Sequence, residues 1–490
     1  AGYQAWFSCP TRDQGTNWTH WSPGSVPRAG RITFDLYPDV SEYDASDLCD
    51  TDLGNLGNGQ RARLYNSAGR SVINTHFRWM AEYGIDGAAV QRFVVGLGGN
   101  VDRGLEILRR IRAAAEQHGR IYYVMYDISG AGSNWADLIR SDWESHVERG
   151  DAHTSSDRYA RQDGRPVVNL WGIGRGLGSP DETLSLIRWF HERGAYVVGG
   201  LPYWWRSDDN AAAFAPVYAE LDMIQPWAVG TMGSDADVDS HFGDLVPNDL
   251  ALTRSRGQAY QRVLWPGFSW ANWNAPPRNG IARRAGTFFW RQAYQAARAG
   301  TGAYIAMFDE YDEGTAIAKA AVDESQRPVD QWFLTLDADG TRVSNDFYLR
   351  LAGAATRMLR GEMALTSRVP VPADGAAPPP VRASLVGGES LAANEFLQSA
   401  DGRFTLYYQG DGNLVLYDDA GQALWASDTV GGSGGAHLST DGSLQVNTAG
   451  PGWSTATAGN PGASLELQGD GNLVLYSSDG RPLWSSNTAR

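Results

Sequence analysis

Four carboxylates lie within five consecutive residues of the segment FDEYDEG, and they are Asp309, Glu310, Asp312 and Glu313. Four such groups cannot all be buried as anions, so burial would raise some of their pKa values or require a cation nearby. A carboxyl pair with different pKa values suits hydrolysis of a glycosidic bond, because one group protonates the leaving oxygen and the other serves as base or nucleophile. A solvated acidic loop and a calcium site are the two other interpretations of this cluster.

The elements that precede this cluster alternate between short apolar runs and amphipathic helical stretches. The apolar runs are Tyr3–Ser8, Gly87–Val94, Ile121–Ile128, Pro166–Trp171, Tyr196–Tyr203, Met223–Val229, Val263–Phe268 and Ala303–Phe308. Helical stretches intervene, for example at Val101–His118 and Thr183–Arg193. Eight apolar strands separated by helices predict an α/β fold, the (β/α)8 TIM barrel. An open doubly wound sheet is the alternative, but no glycine-rich phosphate loop follows the first strand.

In a barrel of this kind the chemistry lies at the C-terminal ends of the strands. The candidate substrate-binding residues at those ends are Gln91, Arg92, Asp127, Trp171, Tyr203, Trp204, Gln225, Trp227, Trp265 and Trp270. Aromatic rings stack on the apolar faces of sugars, while amides and carboxylates bind sugar hydroxyl groups. Arg92 is also a candidate partner that would hold one of the four carboxylates ionised. The histidines show no metal-ligand spacing, and His76 is interpreted as structural, so no metal or cofactor is expected.

Composition excludes several classes of partner. The formal net charge of −15 repels phosphate backbones, and no Lys/Arg-rich stretch offsets it, so nucleic acid is excluded. No apolar run approaches the roughly 20 residues that span a bilayer, so no membrane partner is expected. The two cysteines, Cys9 and Cys49, either close one disulfide in an oxidising compartment or remain free thiols. The chain begins at Ala1 without an apolar leader, as a processed exported protein would, so a secreted, extracellular location is expected.

A proline-rich stretch divides the chain. The segment Val369–Pro380 (VPVPADGAAPPP) resists both helix and sheet and is typical of a semi-rigid spacer. The sequence therefore predicts a barrel domain over 1–365, a linker over 366–383 and a second domain over 384–490. Within the first domain, Arg12–Gly69 is a long loop-rich insertion after the first strand, and loops of that length are usually functional.

The tail contains a repeat of about 30 residues. The segment QGDGNLVLY occurs twice, at Gln409–Tyr417 and Gln468–Tyr476, and a degenerate copy, STDGSLQVN, lies between them at Ser439–Asn447. Each repeat then ends on a tryptophan, and these are Trp425, Trp453 and Trp484. Three short antiparallel sheets around a shared Trp and Leu core would explain the pattern.

This repeat resembles the bulb-type, monocot mannose-binding lectin family, whose site reads Q-x-D-x-N-x-V-x-Y. The resemblance implies an all-β β-prism fold in which Gln, Asp, Asn and Tyr hydrogen-bond one mannose and Val packs beneath it. The implied mannose-binding residues are Gln409, Asp411, Asn413, Val415 and Tyr417, and then Gln468, Asp470, Asn472, Val474 and Tyr476. The middle repeat keeps Asp441 but has Ser439, Ser443, Gln445 and Asn447 at the other positions, so it is expected to keep the fold without the sugar. A module with no functional sugar site is the alternative.

The strand-eight segment Phe308–Ile317 (FDEYDEGTAI) resembles the F-N-E-W-x-E-G-T-x-I motif of glycoside hydrolase family 99, and His76–Phe93 resembles that family's second-strand region. The resemblance implies a retaining endo-α-mannosidase or endo-α-mannanase without a cofactor. Glu313 would be the general acid/base, and Glu310 would deprotonate the substrate's own 2-hydroxyl group. Asp309 replaces the Asn of the motif, and Tyr311 replaces its Trp.

Three functions remain open at this point. The first is a secreted hydrolase of α-mannosidic linkages in mannan or related glycans, held on them by the lectin module. The second is an enzyme of the same fold that acts on an arabinoside, xyloside or galactoside. The third is a non-catalytic glycan-binding lectin protein, against which the presence of both Glu310 and Glu313 argues.

Overall fold

The structure is a computed structural model that describes residues 1–11, 17–99, 101–176, 178–274, 277–375, 382–392, 395–399, 402–418, 421–431, 434–447 and 452–490. The chain separates into two compact units, Ala1–Arg360 with Val371–Ala376, and Gly361–Pro370 with Ala377–Arg490. The segment Gly361–Pro370 therefore packs with the second unit, although the sequence predicts a boundary after residue 365. Most of the proline-rich end of the predicted linker, residues 376–381, lies outside the described residues.

A parallel sheet forms the centre of the first unit. Its strands are β1 (Gly2–Tyr3), β2 (Gly87–Phe93), β3 (Ile121–Asp127), β4 (Arg165–Trp171), β5 (Tyr196–Leu201), β6 (Met223–Pro226), β7 (Ala259–Leu264) and β8 (Gly302–Ile305). Each strand pairs in parallel with the next one along the chain. The N–H of Phe308, just beyond β8, donates to the carbonyl of Gly2 at 2.7 Å, which links the two ends of the sheet. The predicted (β/α)8 architecture is confirmed.

Helices cover the outside of this sheet. They are α1 (Arg70–Glu82), α2 (Asp102–His118), α3 (Trp135–Asp142), α4 (Pro180–Glu192), α5 (Ala211–Glu220), α6 (Asp235–Ser240), α7 (Val246–Ser255), α8 (Thr287–Ala299) and α9 (Phe347–Leu359). Helix α2 buries Leu105, Leu108 and Ile111, the residues at helical spacing, and ends at Gly119 in the left-handed conformation. Helix α4 begins where the Ser179 hydroxyl accepts a hydrogen bond from the N–H of Glu182.

The insertion after β1 folds against the barrel through few regular elements. Leu48–Asp50 and Arg63–Tyr65 form a two-stranded antiparallel sheet. A disulfide joins Cys9 to Cys49, closing a loop with a sequence separation of 40, which in the chain-entropy picture stabilises the fold by about 4 kcal/mol. The imidazole of buried His76 lies between the hydroxyls of Tyr3 (2.8 Å) and Tyr43 (2.7 Å), and burial lowers its pKa to about 3. His76 is therefore neutral and links the insertion to α1 and β1.

The described residues of the second unit form three four-stranded antiparallel sheets. Its strands are β9 (Ser384–Val386), β10 (Ser390–Leu391), β11 (Phe396–Gln398), β12 (Phe404–Tyr408), β13 (Leu414–Asp418), β14 (Ala423–Ala426), β15 (Ala436–Leu438), β16 (Leu444–Val446), β17 (Trp453–Ser454), β18 (Ser464–Leu467), β19 (Leu473–Tyr476) and β20 (Pro482–Ser485). The sheets follow the orders β11-β12-β13-β14, β10-β15-β16-β17 and β9-β18-β19-β20.

The three sheets of the second unit share one core. Trp425, Trp453 and Trp484 pack edge to face, with ring centroids 5.0–5.6 Å apart, against a cluster that consists mainly of buried leucines. This packing explains why each repeat ends on a tryptophan. The predicted three-sheet arrangement around a Trp and Leu core is confirmed.

Helix α9 packs so closely against the end of α1 that only glycine fits at one position. A Cβ on Gly353 would lie 1.7 Å from the carbonyl oxygen of Tyr83. We expect Gly353→Ala to lower the free energy of unfolding by roughly 1–3 kcal/mol, because the helix must move to relieve the clash. Chemical denaturation checks this expectation. Gly243→Ala is the control, because its Cβ would meet nothing within 4 Å, and equal losses in the two variants would contradict the packing argument.

Candidate functional sites

The carboxylate segment lies just beyond β8, and hydrogen bonds to its backbone hold it in place. The guanidinium of the buried Arg283 donates to the carbonyls of Gly314 (2.8 Å) and Ala316 (2.6 Å). The N–H of Ser269 donates to the carbonyl of Glu313 at 2.8 Å. The backbone that carries the candidate catalytic residues is thus anchored from the β7–α8 connection.

Asp309 joins this segment to the chain that follows β1. Its two carboxylate oxygens accept hydrogen bonds from the backbone N–H groups of Gln4 (2.8 Å) and Ala5 (2.9 Å). Burial raises the pKa of Asp309 to about 6. An asparagine at this position has one acceptor oxygen in its side chain, whereas a carboxylate has two. The departure from the family motif at Asp309 therefore has a structural reason.

Glu310 is fully buried, and both of its oxygens accept hydrogen bonds. The side-chain amide of Gln4 donates to one oxygen at 3.0 Å, and the N–H of Asp312 donates to the other at 3.1 Å. Burial raises the pKa of Glu310 well above its usual range, and the charges of Glu313 and Asp309 raise it further. The two donors orient the carboxyl group and favour its ionised form once a proton leaves it.

Glu313 is placed differently, because its side chain is only partly buried and lines an open cleft of about 530 Å³. Trp227, Trp270 and Arg175 line the same cleft. Burial raises the pKa of Glu313 to about 7. A carboxyl group with this pKa beside an aromatic cleft retains a proton near neutral pH and can deliver it to a bound ligand.

Asp312 faces away from the aromatic cleft towards the insertion. Its carboxyl group lies 2.7 Å from Nδ1 of His20, and the His20 ring stacks on Trp6 with centroids 3.8 Å apart. Burial lowers the pKa of His20 to about 4, with a smaller contribution from Arg103, while burial raises the pKa of Asp312 well above its usual range. One proton therefore lies between Asp312 and a neutral imidazole. Sequence reasoning missed His20, and its only signal was the W-T-H-W run within the insertion.

The insertion also positions one wall of the cleft. The carboxylate of Asp35 accepts hydrogen bonds from the Ser269 hydroxyl at 2.5 Å and from the N–H groups of Ala271 and Asn272, both at 2.7 Å. These bonds hold the loop that carries Trp270, which is 37% exposed. Asp35 is a second positioning residue that sequence reasoning did not single out.

Several predicted substrate-binding residues meet at the C-terminal ends of the strands. The amide of Gln91 donates to Asp127 at 2.5 Å, and burial raises the pKa of Asp127. The rings of Trp171 and Trp227 pack edge to face at 5.3 Å, and the Arg175 guanidinium lies 5.1 Å from the centre of the Trp171 ring. These contacts bring amide, carboxylate and aromatic groups together in the predicted combination. The substrate-binding role of each residue stays a prediction.

Tyr203 and Trp204 follow β5 and are exposed to different degrees. The Tyr203 hydroxyl is buried and lies 2.7 Å from Nδ1 of His241. The Trp204 ring packs edge to face on Tyr203 and remains 49% exposed. Trp204 therefore keeps free area for stacking, whereas Tyr203 supports it from beneath.

The interpretation of Arg92 as a partner of the strand-eight carboxylates is wrong. Arg92 is buried and pairs with Asp142, to which its Nε donates at 2.7 Å, and the Tyr126 hydroxyl donates to the same carboxylate. Neighbouring residues of a strand point to opposite faces, so Arg92 lies behind the sheet when Gln91 lies in front of it. The arginine is therefore a partner of Asp142 and not of the strand-eight carboxylates, and its substrate-binding role stays a prediction.

Gln225 and Trp265 also differ from their predicted role, because both are fully buried. Gln225 accepts from the amide of Asn169 (2.9 Å) and donates to Gln261 (2.7 Å). The ring of Trp265 packs edge to face on Phe288 of α8. Both residues are therefore enclosed by protein and do not reach the cleft, since a position near a strand end does not by itself decide which way a side chain points.

Neither a metal site nor a membrane span emerges from the described ranges. Among those residues, no group of three or more His, Cys, Asp or Glu side chains is arranged to hold a metal ion. Nor is any helix in the described part of the chain both long and apolar enough to cross a bilayer.

In the second unit, the first and third repeats build the same polar site. In the first repeat the amide of Gln409 donates to the hydroxyl of Tyr417 at 2.7 Å, and the N–H of Asn413 donates to Asp411 at 3.0 Å. In the third repeat the corresponding distances are 2.8 Å and 2.9 Å, and the residues involved are Gln468, Tyr476, Asn472 and Asp470. The two sites therefore have the same preformed geometry.

Hydroxyl residues after each tryptophan orient the site asparagines. The amide oxygen of Asn413 accepts from the Ser427 hydroxyl (3.1 Å) and from the N–H of Thr429 (3.2 Å). The amide oxygen of Asn472 accepts in the same way from Ser486 and Thr488, at 3.3 Å and 3.2 Å. The oxygen of each amide is therefore occupied, which fixes the orientation of the asparagine side chain. The signal for these residues was the pattern W-x-[ST]-x-T, which follows all three repeats.

The middle repeat keeps the strands but closes its own site. The Ser439 hydroxyl bonds to Asp441 and accepts from the N–H of Ser443 at 3.0 Å. Its short side chains satisfy one another and present no amide at this turn. The sequence-based expectation of a scaffold without a sugar site remains a prediction that this geometry favours.

The first unit resembles a glycosidase of known structure. No protein-family model matches the chain. The fold resembles that of the GH99 endo-α-mannosidase from Bacteroides thetaiotaomicron, with a TM-score of 0.54 and 16% sequence identity. That similarity covers 73% of this chain and 96% of the other. At this level of identity the similarity establishes the fold, and it does so for the part of the chain that carries Glu310 and Glu313.

The C-terminal part of the chain has relatives in sequence. It is 36% identical over 112 residues to a mannose-specific lectin from Aloe arborescens, which covers 22% of this chain and 97% of the lectin. It is 28% identical over 102 residues to the B-type lectin plumieribetin from Scorpaena plumieri, which covers 21% of this chain and 64% of that protein. Through its C-terminal unit, the chain therefore belongs to the family of mannose-specific lectins, and its first unit has the fold of a glycoside hydrolase family 99 enzyme.

Proposed function

We propose that this protein is a secreted, retaining glycoside hydrolase that cleaves α-mannosidic linkages in mannan or related glycans, with a mannose-binding lectin unit that holds it on its substrate. The observation that carries the proposal is the pairing of Glu313 with Glu310. Glu313 has a pKa of about 7 and lines an aromatic cleft, whereas the buried Glu310 has a hydrogen-bond donor on each oxygen. The two carboxyl groups are thus set for different tasks.

Glu313 is the general acid of the proposed reaction. Near neutral pH it keeps its proton, because burial disfavours the anion. It gives that proton to the glycosidic oxygen as the bond to the anomeric carbon breaks. As a carboxylate it then removes a proton from the water that opens the intermediate, which restores the starting state.

Glu310 is the base that activates the substrate, and it acts in its ionised form. While Glu313 keeps its proton, the charge of Glu313 that would raise the pKa of Glu310 is absent, and the hydrogen bonds from Gln4 and Asp312 lower that pKa against the effect of burial. Its carboxylate takes the proton from the 2-hydroxyl group, whose oxygen attacks the anomeric carbon and forms an epoxide-like ring. Water later opens this ring, and the proton returns from Glu310 to the 2-oxygen, so the configuration at the anomeric carbon is retained. The amide of Gln4 and the N–H of Asp312 orient the carboxylate for both transfers. The resemblance of Phe308–Ile317 to the family motif supports these assignments.

The lectin unit supplies attachment rather than chemistry. A tethered binding module raises the local concentration of substrate at the active site without new contacts there. The relative from Aloe arborescens is described as mannose-specific, and the residues Gln409 to Tyr417 and Gln468 to Tyr476 carry the same type of site. The Cys9–Cys49 disulfide supports export to an oxidising compartment.

We expect Glu313→Gln and Glu310→Gln each to lower kcat/KM on the true substrate by at least about 100-fold, since each variant loses a proton transfer. Product release is measured on yeast mannan, arabinan, xylan and galactan. Glu324→Gln, at an exposed carboxylate of the same unit, is the control and retains activity. Cleavage of another polysaccharide but not mannan would identify a different sugar, and cleavage of none would favour a non-catalytic glycan-binding protein.

The raised pKa of Glu313 also predicts a dependence of stability on pH. The pKa of Glu313 is about 7 in the folded chain and 4.5 for an ordinary glutamate, so between these pH values unfolding releases a proton and stability falls as pH rises. We expect Glu313→Gln to be more stable than the wild type at pH 8 by roughly 1–3 kcal/mol, with a smaller difference at pH 5. Denaturant midpoints at the two pH values check this. The same difference in stability between variant and wild type at both pH values would mean that the pKa of Glu313 is not raised by folding.

The lectin unit should bind two molecules of methyl α-mannoside per chain. We expect Gln409→Ala and Gln468→Ala each to reduce the stoichiometry to one, because each removes the amide that holds Tyr417 or Tyr476 and reaches the sugar. Isothermal titration of the full chain measures this. Asn447→Ala, at the tyrosine position of the middle repeat, is the control and keeps two sites. Absence of heat with the wild type would refute the proposed lectin function.

A further inference from the structure

The polar sites of the first repeat (Gln409 to Tyr417) and of the third repeat (Gln468 to Tyr476) have the same five residue types but different neighbours. The segment Gly361–Pro370 lies against the first repeat, within the second unit. From it the guanidinium of Arg368 lies 3.7 Å from the centre of the Tyr407 ring and 4.8 Å from the centre of the Tyr417 ring. Tyr417 belongs to the first site. A cation is thus placed directly beside one of the two sites.

The strand register places this arginine on the sugar-binding face. Tyr407 on β12 is paired directly with Val415 on β13, so the two side chains point to the same face. Val415 and Tyr417 are two residues apart and share that face, whereas Leu414 and Leu416 point into the core. Arg368 therefore covers the outer face of the sheet beside the site, not its core side.

The third repeat has a carboxylate at the position that Tyr407 occupies in the first repeat. Glu466 on β18 is paired directly with Val474 on β19, as Tyr407 is with Val415. Glu466 is exposed. Within the described ranges, no arginine or lysine lies over the Tyr476 ring. The two sites therefore differ at the strand position opposite their valine, where the first has Tyr407 covered by Arg368 and the third has the exposed Glu466. Arg403 reaches the third site at its backbone, where its guanidinium donates to the carbonyl of Gly469.

Among the residues that the structure describes, no carboxylate forms an ion pair with Arg368. Burial lowers the pKa of its guanidinium, and the groups that favour its charged form are Tyr407 and Tyr417 rather than a carboxylate. Its Nη1 group is buried and has no hydrogen-bond partner among the described residues. A guanidinium that stacks on aromatic rings keeps its N–H donors in its own plane, where they suit a phosphate or a carboxylate. A charge left in this state gains most from an anionic ligand.

We propose that the site of the first repeat selects mannosides that carry an anionic group, a phosphate or a carboxylate, and that Arg368 is the residue that selects them. The site of the third repeat takes neutral mannosides, because Glu466 repels a negative charge. This inference rests on the proposed mannose binding of the second unit. The two sites would then bind different mannosides, so that one chain holds both the neutral and the charged branches of a glycan.

Isothermal titration of the full chain tests the inference. In Gln468→Ala the first site is intact and the third is removed, and in Gln409→Ala the third site is intact and the first is removed. Each is titrated with methyl α-mannoside, mannose 6-phosphate, methyl α-mannuronoside and inorganic phosphate, at about 0.05 M and about 0.5 M salt. The readout is the ratio of the affinities for charged and neutral mannoside at each site. Comparison of mannose 6-phosphate with methyl α-mannuronoside shows whether the first site prefers a phosphate or a carboxylate.

We expect the first site to prefer a charged mannoside by about ten-fold at low salt and by less at high salt. Adding Arg368→Gln to the Gln468→Ala chain should bring the ratio to about one, whereas Arg368→Lys should keep part of it, because it preserves the charge but not the planar fork. Arg403→Gln is the matched control, since Arg403 lies over Phe404 in the same unit, and it should keep the full ratio. The third site should prefer the neutral mannoside at low salt, because Glu466 repels the charged one.

The contradicting outcomes separate this inference from the lectin function. Equal ratios at the two sites, or a ratio that survives Arg368→Gln, would overturn the inference and leave mannose binding intact. Inorganic phosphate that binds as tightly as mannose 6-phosphate would overturn it as well, because the sugar would then play no part. Absence of binding of methyl α-mannoside at either site would overturn the lectin function and the inference together.

Discussion

The first unit depends on one constraint, which is the burial of carboxyl groups at the end of β8. Asp309, Glu310 and Asp312 are fully buried, and Glu313 lines the cleft beside them. Burial is the main cause of the raised pKa of each of the four. The fold compensates with hydrogen-bond donors rather than with a paired arginine. The site can therefore hold protons near neutral pH, which acid catalysis requires.

The same constraint explains the long insertion after β1. Its His20 shares a proton with Asp312, its Asp35 fixes the loop of Trp270, and the Cys9–Cys49 disulfide restrains its N-terminal half. The insertion contains few regular elements, so these contacts, rather than sheet or helix hydrogen bonds, define its shape. A protein that keeps carboxyl groups protonated for catalysis loses stability as pH rises, which makes such restraints valuable.

The second unit follows a different principle, which is repetition. Three copies of one strand pattern bury one shared core, and the tryptophan that ends each repeat lies at its centre. Repetition multiplies binding sites but does not keep them equal. In the middle copy Ser439 bonds to Asp441, while Arg368 lies over Tyr407 and Tyr417 in the first copy and Glu466 takes the place of Tyr407 in the third. The proposed difference between the first and third sites therefore arises from neighbouring residues, because their five site residues are identical.

The sequence by itself was sufficient for the architecture. Apolar runs at barrel spacing predicted the eight strands. The segment QGDGNLVLY, which occurs twice in the chain, predicted two sites of equal geometry, because strand period and turn chemistry are local properties. The carboxylate cluster was visible for the same reason, as all four groups lie within one short segment.

Only the tertiary structure decided which way side chains near a strand end point. Gln91 and Arg92 are neighbours in sequence, yet one bonds to Asp127 at the cleft end and the other to Asp142 behind the sheet. Contacts over long sequence separations were equally hidden. His20 and Asp312 are 292 residues apart, and Arg368 reaches Tyr417 from what the sequence reads as a linker. Local patterns carry no information on such pairs, because the chain between them, and not their own neighbours, brings them together.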